Sequence, residues 1–133
     1  MSGDEKRIGK GAFQGCKGLK DFSIHEKVDT IGDDAFWGCT GLTAISLPAT
    51  LKEIGSGCFR HCDALTTITF ASGFAVDGLP SLMFSDCGNL SEVTIPSCVK
   101  TLGENCFNSC SKLSVVHLQE GLQEIGDFFN VLV

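Results

Sequence analysis

One phrase of 23 residues recurs five times along the chain, and this period constrains the fold more than any single residue does. Its clearest copies read IGDDAFWGC over residues 31–39 and IGSGCFRHC over residues 54–62. Three apolar slots keep one phase and hold Phe13, Phe36, Phe59, Phe84 and Phe107; Cys16, Cys39, Cys62, Cys87 and Cys110; and Leu19, Leu42, Leu65, Leu90 and Leu113. One such unit cannot bury its own apolar face, so the units must stack into a solenoid.

Each Leu slot is followed by a short run in which apolar and polar residues alternate, as in Leu42-x-x-Ile45-x-Leu47. Period-two alternation is typical of a strand with one buried face, and equivalent strands of successive coils pair in parallel. The stretch before the Leu slot places Phe36 and Cys39 at helical spacing, which predicts a short helical turn. The sequence therefore predicts an α/β solenoid of about five coils, with a parallel sheet on one face and short helical turns on the other.

One unit is longer than the others. The Phe slot advances by 25 residues between Phe59 and Phe84, whereas it advances by 23 elsewhere. Phe70 still keeps step with Leu47 of the preceding unit, so the two additional residues follow Phe70. This spacing predicts a bulged loop over residues 71–75, on one edge of the solenoid.

The order Ile-Gly-x-x-Ala-Phe-x-x-Cys-x-x-Leu-x-x-Ile-x-Leu-Pro, repeated over about residues 8–129, resembles the BspA-type leucine-rich repeat. The resemblance implies a leucine-rich-repeat solenoid that binds proteins, since members of this family are similar to surface adhesins and interaction scaffolds of bacteria and protists. Leu79-Pro80 departs from the family pattern, because other units have Ile-Gly there. We expect a polar tail over residues 1–7 and a single solenoid domain over residues 8–133.

Composition narrows the possible partners and compartments. A formal net charge of −6 argues against nucleic acid as a partner. No apolar run approaches the roughly 18 residues of a membrane-spanning helix, so we expect no membrane insertion. The first residues, Met-Ser-Gly-Asp-Glu-Lys-Arg, are polar and do not form a signal peptide. That absence favours the cytoplasm, whereas the family resemblance favours the cell surface, and both alternatives stay open.

Eight cysteines raise the question of disulfides or a metal site. Five of them occupy one repeated slot, so we expect a buried ladder of thiols that fills the core as small hydrophobes do. Cys58 and Cys106 each precede a slot cysteine by four residues, close enough for a strained bridge in an oxidising compartment. The chain has no Cys-x-x-Cys pair, no P-loop and no HExxH motif. We therefore expect no enzyme activity, no catalytic or cofactor-binding residue, no cofactor and no metal ligand.

The outward strand residues form the natural binding face of such a solenoid. One outward column is mostly small and hydroxyl-bearing, and it is expected to hold Ser23, Ser46, Thr69, Thr94 and His117. On the return side, Trp37 is the only tryptophan and is expected to be exposed beside Arg60. These seven residues are the candidates for contact with an unidentified protein partner. The alternative for Trp37 is a purely structural cation–π contact with Arg60.

The ends of the chain leave a second function open. Terminal coils of a solenoid need polar caps, because a bare coil exposes apolar core. This chain ends in the apolar run Phe128-Phe129-Asn130-Val131-Leu132-Val133. The alternative to a binding module is therefore a structural building block that self-associates end to end through uncapped ends, or a truncated segment of a longer repeat array.

Overall fold

A computed structural model describes residues 6–120 and 122–125 of the chain. It is a parallel solenoid of about five coils of about 23 residues, as predicted. We number the coils by their first residues: Ile8, Ile31, Ile54, Leu79 and Leu102 begin coils 1 to 5. The strands in chain order are β1 (Arg7–Ile8), β2 (Asp21–Ser23), β3 (Thr30–Ile31), β4 (Ala44–Leu47), β5 (Glu53–Ile54), β6 (Thr67–Phe70), β7 (Gly78–Leu79), β8 (Glu92–Thr94), β9 (Thr101–Leu102), β10 (Val115–His117) and β11 (Glu124–Ile125).

The longer strands stack in the register that the sequence repeat predicts. Phe22, Ile45 and Ile68 lie directly opposite one another in β2, β4 and β6, and their side chains point inward. The residues on either side of them point outward, as the two-residue alternation of a strand requires. Each coil thus turns its apolar face toward its neighbours rather than toward water.

A column of phenylalanine rings forms the centre of the core. Phe36, Phe59, Phe84 and Phe107 are fully buried. Successive rings lie nearly parallel, with centroids 5.1 to 5.8 Å apart. This offset stacking stabilises aromatic pairs beyond the area they bury. The Phe slot therefore links each coil to the next through the whole solenoid.

The return segments contain no helix among the described residues, so the prediction of short helical turns was wrong. They are series of tight turns in which successive N–H groups alternate between two kinds of acceptor. In coil 2, the Trp37 N–H donates within the turn to the carbonyl of Asp34 at 3.1 Å. The Phe36 N–H instead donates to the carbonyl of Cys58 in coil 3 at 2.7 Å. In an α-helix, both groups would bond four residues back along the same segment.

Residues in the left-handed region produce this alternation. Each return segment has positive φ at two positions four residues apart, for example Asp34 at 56° and Gly38 at 74°. They reverse the peptide direction, so that every second N–H points along the solenoid axis. Consecutive turns place Ala35, Phe36 and Cys39 on the inner side just as a helix would. The apolar spacing therefore could not distinguish a helix from a series of turns.

Both strand ladders are split between coils 3 and 4. Strands β2, β4 and β6 form one sheet and β8 and β10 another, while β1, β3 and β5 are likewise separate from β7, β9 and β11. The return turns remain joined across the same junction. Gly57, Phe59 and His61 donate at 2.8 to 3.1 Å to the carbonyls of Ser81, Met83 and Ser85. This junction is closed on the turn side and open on the strand side.

The two additional residues lie at the open side. Phe74 closes the same tight turn that Leu51 closes in coil 2, so it occupies a regular slot. Val76 stands three residues before Leu79, as Leu51 stands three before Ile54, so the additional length lies within residues 74–76, which overlap the end of the predicted bulge over residues 71–75. Val76 is 8% exposed, so the insertion packs into the solenoid.

Pro80 removes a hydrogen bond at the same junction. In this slot the N–H groups of Gly32, Gly55 and Gly103 each donate to a carbonyl of the preceding coil. Proline has no N–H and cannot make this bond. A Cβ added at Gly55 would collide with the backbone of Asp33. The slot thus accepts a proline ring only where two coils stand further apart.

Candidate functional site

The outward column of the longer strands is divided by the split. Ser23, Ser46 and Thr69 lie directly opposite one another in coils 1 to 3. Thr94 and His117 pair in coils 4 and 5. Ser46 is partly exposed and the other four are exposed. The structure therefore brings the predicted column together as two groups, with an opening between them.

Hydroxyl groups on this side of the solenoid fall into two sets. One set donates to carbonyls of the preceding coil at 2.9 to 3.5 Å and consists of Thr43, Thr66 and Ser114. The other set makes no side-chain hydrogen bond within residues 6–120 and 122–125 and consists of Ser23, Ser46, Thr69 and Thr94. The first set ties the coils together, whereas the second is available to bond a partner.

His117 is already engaged by a neighbouring strand. Its Nε2 atom lies 2.5 Å from Oε2 of Glu92. The sequence revealed no acidic partner for His117, because Glu92 is 25 residues away and its side chain crosses diagonally from β8 to β10. Both side chains are about half exposed, so the pair is screened by water and adds little stability. Of the five column residues, His117 is the one with a fixed orientation.

Trp37 lies on the return side, where 38% of its surface is exposed. Arg60 occupies the same slot in the next coil, and its Nε atom is 3.7 Å from Oδ2 of Asp86 in coil 4. The described residues show no cation–π contact between Trp37 and Arg60. Ser85, in the same slot, is 1% exposed, so the return side has no continuous polar column. Trp37 is therefore an isolated exposed aromatic residue.

The slot cysteines are buried hydrogen-bond donors. Each thiol donates at 3.0 to 3.3 Å to the carbonyl of the Phe slot one coil earlier, and the donors are Cys39, Cys62, Cys87 and Cys110. Burial raises the pKa of Cys62 to about 12 and that of Cys110 to about 11. A protonated thiol is neither a nucleophile nor a metal ligand. These side chains therefore bridge neighbouring coils, and their thiols stay protonated near neutral pH.

All eight cysteines are free, and only Cys16 and Cys98 are more than slightly exposed. Cys58 and Cys106 are fully buried in the Ala slot. In the part of the chain that the structure describes, no three His, Cys, Asp or Glu side chains are grouped as a metal would require. That part also has no helix long and apolar enough to cross a membrane.

The split between β6 and β8 opens a groove of about 450 Å³. Coil 3 supplies Ile68, Phe70 and the turn over residues 71–74, and coil 4 supplies Thr94 and the turn over residues 96–98. We call this the junction groove. The sequence did not predict it, although the 25-residue spacing and the proline in a glycine slot are both signals that two coils separate there. Of the outward column, Thr94 is the residue that lines this groove.

Known structures resemble the whole of this fold. A leucine-rich repeat protein from Bacteroides ovatus superposes with a TM-score of 0.86 at 30% identity, over 93% of this chain and 32% of that protein. The pneumococcal vaccine antigen PcpA superposes with a TM-score of 0.78 at 33% identity, over 87% and 29%. A leucine-rich cell surface protein from Faecalibacterium prausnitzii gives 0.78 at 30%, over 93% and 34%. The chain thus spans about a third of the length of these proteins.

A comparison with curated proteins finds no match. The family model for the BspA-type leucine-rich repeat region, in contrast, matches residues 6–130 in six copies. The matched range covers nearly the whole chain and includes every slot described above. On this match and on the geometry of the coils, the chain belongs to the BspA-type leucine-rich repeat family.

Proposed function

We propose that the chain is a non-catalytic protein-interaction module, used in adhesion, that binds its partner through the outward face of the longer strands. The observation that carries the proposal is the set of free hydroxyls on Ser23, Ser46, Thr69 and Thr94, held in register by the strands that bear them. Rigid columns of donors and acceptors suit recognition of another protein's polar surface. The family membership and the cell surface relative support the same use.

The size of this face indicates weak binding by each copy. Five strands at the paired spacing of about 4.8 Å would make a face roughly 24 Å wide, and a face of that width offers about half of the roughly 800 Å² that a standard interface buries on each partner. The relatives are about three times as long as this chain, so a longer array would enlarge the face. Adhesion suits this situation, because many weak contacts made together are strong.

Beads that carry many copies of the purified chain provide the test. We expect such beads to adhere to surfaces coated with collagen or laminin and not to surfaces coated with albumin. Adhesion should fall at least tenfold with the double variant Ser46→Glu/Thr69→Glu, which adds charge to the middle of the face. The control is Gln14→Glu, which adds one charge at an exposed return position. Absence of adhesion to both coats, or an equal loss with the control, would contradict the proposal.

A second candidate function is end-to-end assembly. Phe13 and Phe22 of coil 1 are only partly buried, whereas Phe36 of coil 2 is fully buried. This partly open face would be covered by a coil of another copy. The apolar run over residues 128–133 lies outside the described residues. Light scattering over a hundredfold concentration range distinguishes the alternatives, because assembly raises the mass with concentration and a binding module keeps one mass.

A further inference from the structure

We propose that the junction groove binds an extended, uncharged peptide segment of the partner, with an apolar side chain of that segment seated between coils 3 and 4. This inference rests on the proposed function, because it specifies which part of a partner the strand face recognises. The observations that support it are the exposure of inward-facing side chains, the unpaired strand edges on both sides of the groove, and its lack of charge.

Core side chains of coil 3 are exposed in the groove. Ile68 and Phe70 occupy the inward positions of β6 and are partly exposed. Their equivalents in β4, Ile45 and Leu47, are each 1% exposed, because β6 covers them. Val93, the equivalent of Ile68 in coil 4, is 4% exposed and does not line the groove. The apolar surface that coil 4 leaves uncovered therefore belongs to coil 3, and an apolar side chain of a partner would cover it.

Both walls of the groove are unpaired strand edges. At the preceding junction, the N–H groups of Thr66 and Thr67 donate to the carbonyl of Thr43 at 2.9 and 3.3 Å. Among the described residues, the N–H groups of Ser91 and Glu92 make no equivalent bond to the carbonyl of Thr66 in coil 3. Strands β6 and β8 thus each face the groove with backbone groups that lack a strand partner. An extended peptide supplies such groups by strand addition.

The groove is uncharged. None of the residues that line it is charged, and its polar side chains include those of Thr94, Ser97 and Gln119. Two other depressions of similar size are lined in part by Asp33, Lys52, Glu53 and Asp77, and by Lys6, Glu26, Lys27, Asp29 and Lys52. Its lining offers no charged group to pair with a charge on a bound segment, so the junction groove favours an uncharged occupant.

The dimensions of the groove limit the occupant to a short segment. A volume of about 450 Å³ is at the lower end of the range for small-molecule sites, which begin at roughly 300 Å³. One bulky side chain and the backbone beside it would fill this space. The hydroxyls of Thr94 and Ser97 lie at the rim and are exposed, so they can bond the peptide where it leaves the groove.

The direct test is titration of the whole isotope-labelled chain with the capped peptide acetyl-Thr-Val-Phe-Val-Thr-amide, followed by NMR. We expect saturable shifts for the amides of Ile68, Phe70 and Thr94. Peptides with Gly or Asp in place of the central Phe should bind at least tenfold more weakly. Shifts confined to other parts of the chain, or equal binding of all three peptides, would overturn the inference.

A matched pair of variants tests the location. Ser97→Trp places a large ring in the groove and should weaken binding of the Phe peptide at least tenfold. Ala49→Trp places the same ring in the equivalent slot of coil 2, where the strand ladder is closed, and should leave binding within twofold. Both positions are exposed, so both variants are expected to fold, which circular dichroism and the dispersion of the NMR spectrum will verify. Equal binding by both variants would overturn the inference.

The bead assay separates the failure of this inference from the failure of the proposed function. Adhesion that needs Ser46 and Thr69, together with no binding of the Phe peptide, would overturn the groove inference alone. Binding of the Phe peptide at the groove, together with no adhesion, would overturn the proposed function and support the groove as a peptide site.

Discussion

The junction between coils 2 and 3 and the junction between coils 3 and 4 join similar units in different ways. At the first, β4 pairs with β6 on the strand side, and Phe36 N–H bonds Cys58 on the turn side. At the second, the turn-side bonds persist, for example from Phe59 N–H to Met83, while both strand ladders are interrupted. The turn ladder and the phenylalanine column thus suffice to stack one coil on another. Strand pairing is the part that an insertion can remove.

This difference assigns separate roles to the two sides of the solenoid. The turn side holds the coils in order, because its hydrogen bonds, buried thiols and stacked rings recur at the junctions. The strand side tolerates two additional residues and a proline without loss of the stack. A change in sequence therefore costs the least stability on the strand side, which also carries the candidate binding face.

Alkaline pH should disrupt both kinds of junction together, and this is the largest effect that we expect. Burial raises the pKa of Cys62 to about 12 and that of Cys110 to about 11, above the usual value of 9.0. The folded state therefore holds protons that the unfolded state releases. Stability is fully present below pH 9 and should fall above it by about 1.4 kcal/mol per pH unit for each buried thiol. Circular dichroism during an alkaline titration measures the midpoint.

Cys58→Ala provides the control for the alkaline transition, because Ala35 already occupies that slot in coil 2. The variant has one buried thiol fewer, so its stability should fall less steeply between pH 9 and 11. An identical slope in urea titrations at several pH values would show that the buried thiols do not cause the transition.

Substitutions of Phe59 and Phe70 compare the closed turn side of coil 3 with its open strand side. Phe59 is fully buried between Phe36 and Phe84, so Phe59→Ala should cost about 3–5 kcal/mol. Phe70 faces the junction groove and is partly exposed, so Phe70→Ala should cost only about 1–2 kcal/mol. Urea unfolding measures both costs. Equal losses would mean that the strand side is closed in solution.

Substitutions at Gly55 and Pro80, which share one slot, test the spacing of the coils. Gly55→Ala places a Cβ against the backbone of Asp33 and should cost about 3 kcal/mol, because neither backbone can move without breaking strand pairs. Pro80→Ala occupies the same slot at the open junction and should change stability by less than about 1 kcal/mol. The difference between the two unfolding free energies is the measured quantity. A large loss from Pro80→Ala would indicate that this junction is as tight as the other.

Substitution of Leu82 has the smallest expected effect on stability, and it should stabilise the chain rather than destabilise it. Its φ is 61°, in a column that holds Gly11, Asp34, Gly57 and Asn105 in the other coils. A left-handed conformation costs a residue such as Leu roughly 1–2 kcal/mol, and Asn tolerates it better. Leu82→Asn should therefore stabilise the chain by about 0.5–1 kcal/mol in thermal unfolding. A loss of stability would show that the half-buried Leu82 side chain contributes more than its backbone strain costs.

The repeat predicted the stacking, the parallel strands, their register and the buried slots, because each depends on a spacing that recurs in phase. It failed for the return segments, where the spacing of Ala35, Phe36 and Cys39 fits a helix and a series of turns equally well. Positive φ at two positions of each return segment decides between these alternatives. The glycines at residues 11, 15, 38 and 57 were the sequence signal for it, because glycine readily adopts a left-handed conformation, whereas Leu82 gave no such signal.

The sequence predicted which residues of the candidate site point outward, but it did not predict the groove that lies beside them. The outward column followed from the strand alternation, so the positions of Ser23, Ser46 and Thr69 were foreseen. The junction groove depends on how two additional residues pack, and the sequence located them only to the segment after Phe70. The bond from His117 to Glu92 also depends on side-chain conformation, which a spacing between strands does not determine.

The hydrogen bonds of the return turns give the turn side of the solenoid an electrical direction. They run from the N–H of one coil to the carbonyl of the following coil, for example from Gly15 to Trp37 at 2.8 Å and from Gly38 to Arg60 at 2.9 Å. Aligned peptide dipoles add, as they do along a helix. The turn side is therefore negative toward coil 1 and positive toward coil 5. A further coil would continue this turn ladder only head to tail, because two turn sides meeting head to head would oppose carbonyl to carbonyl.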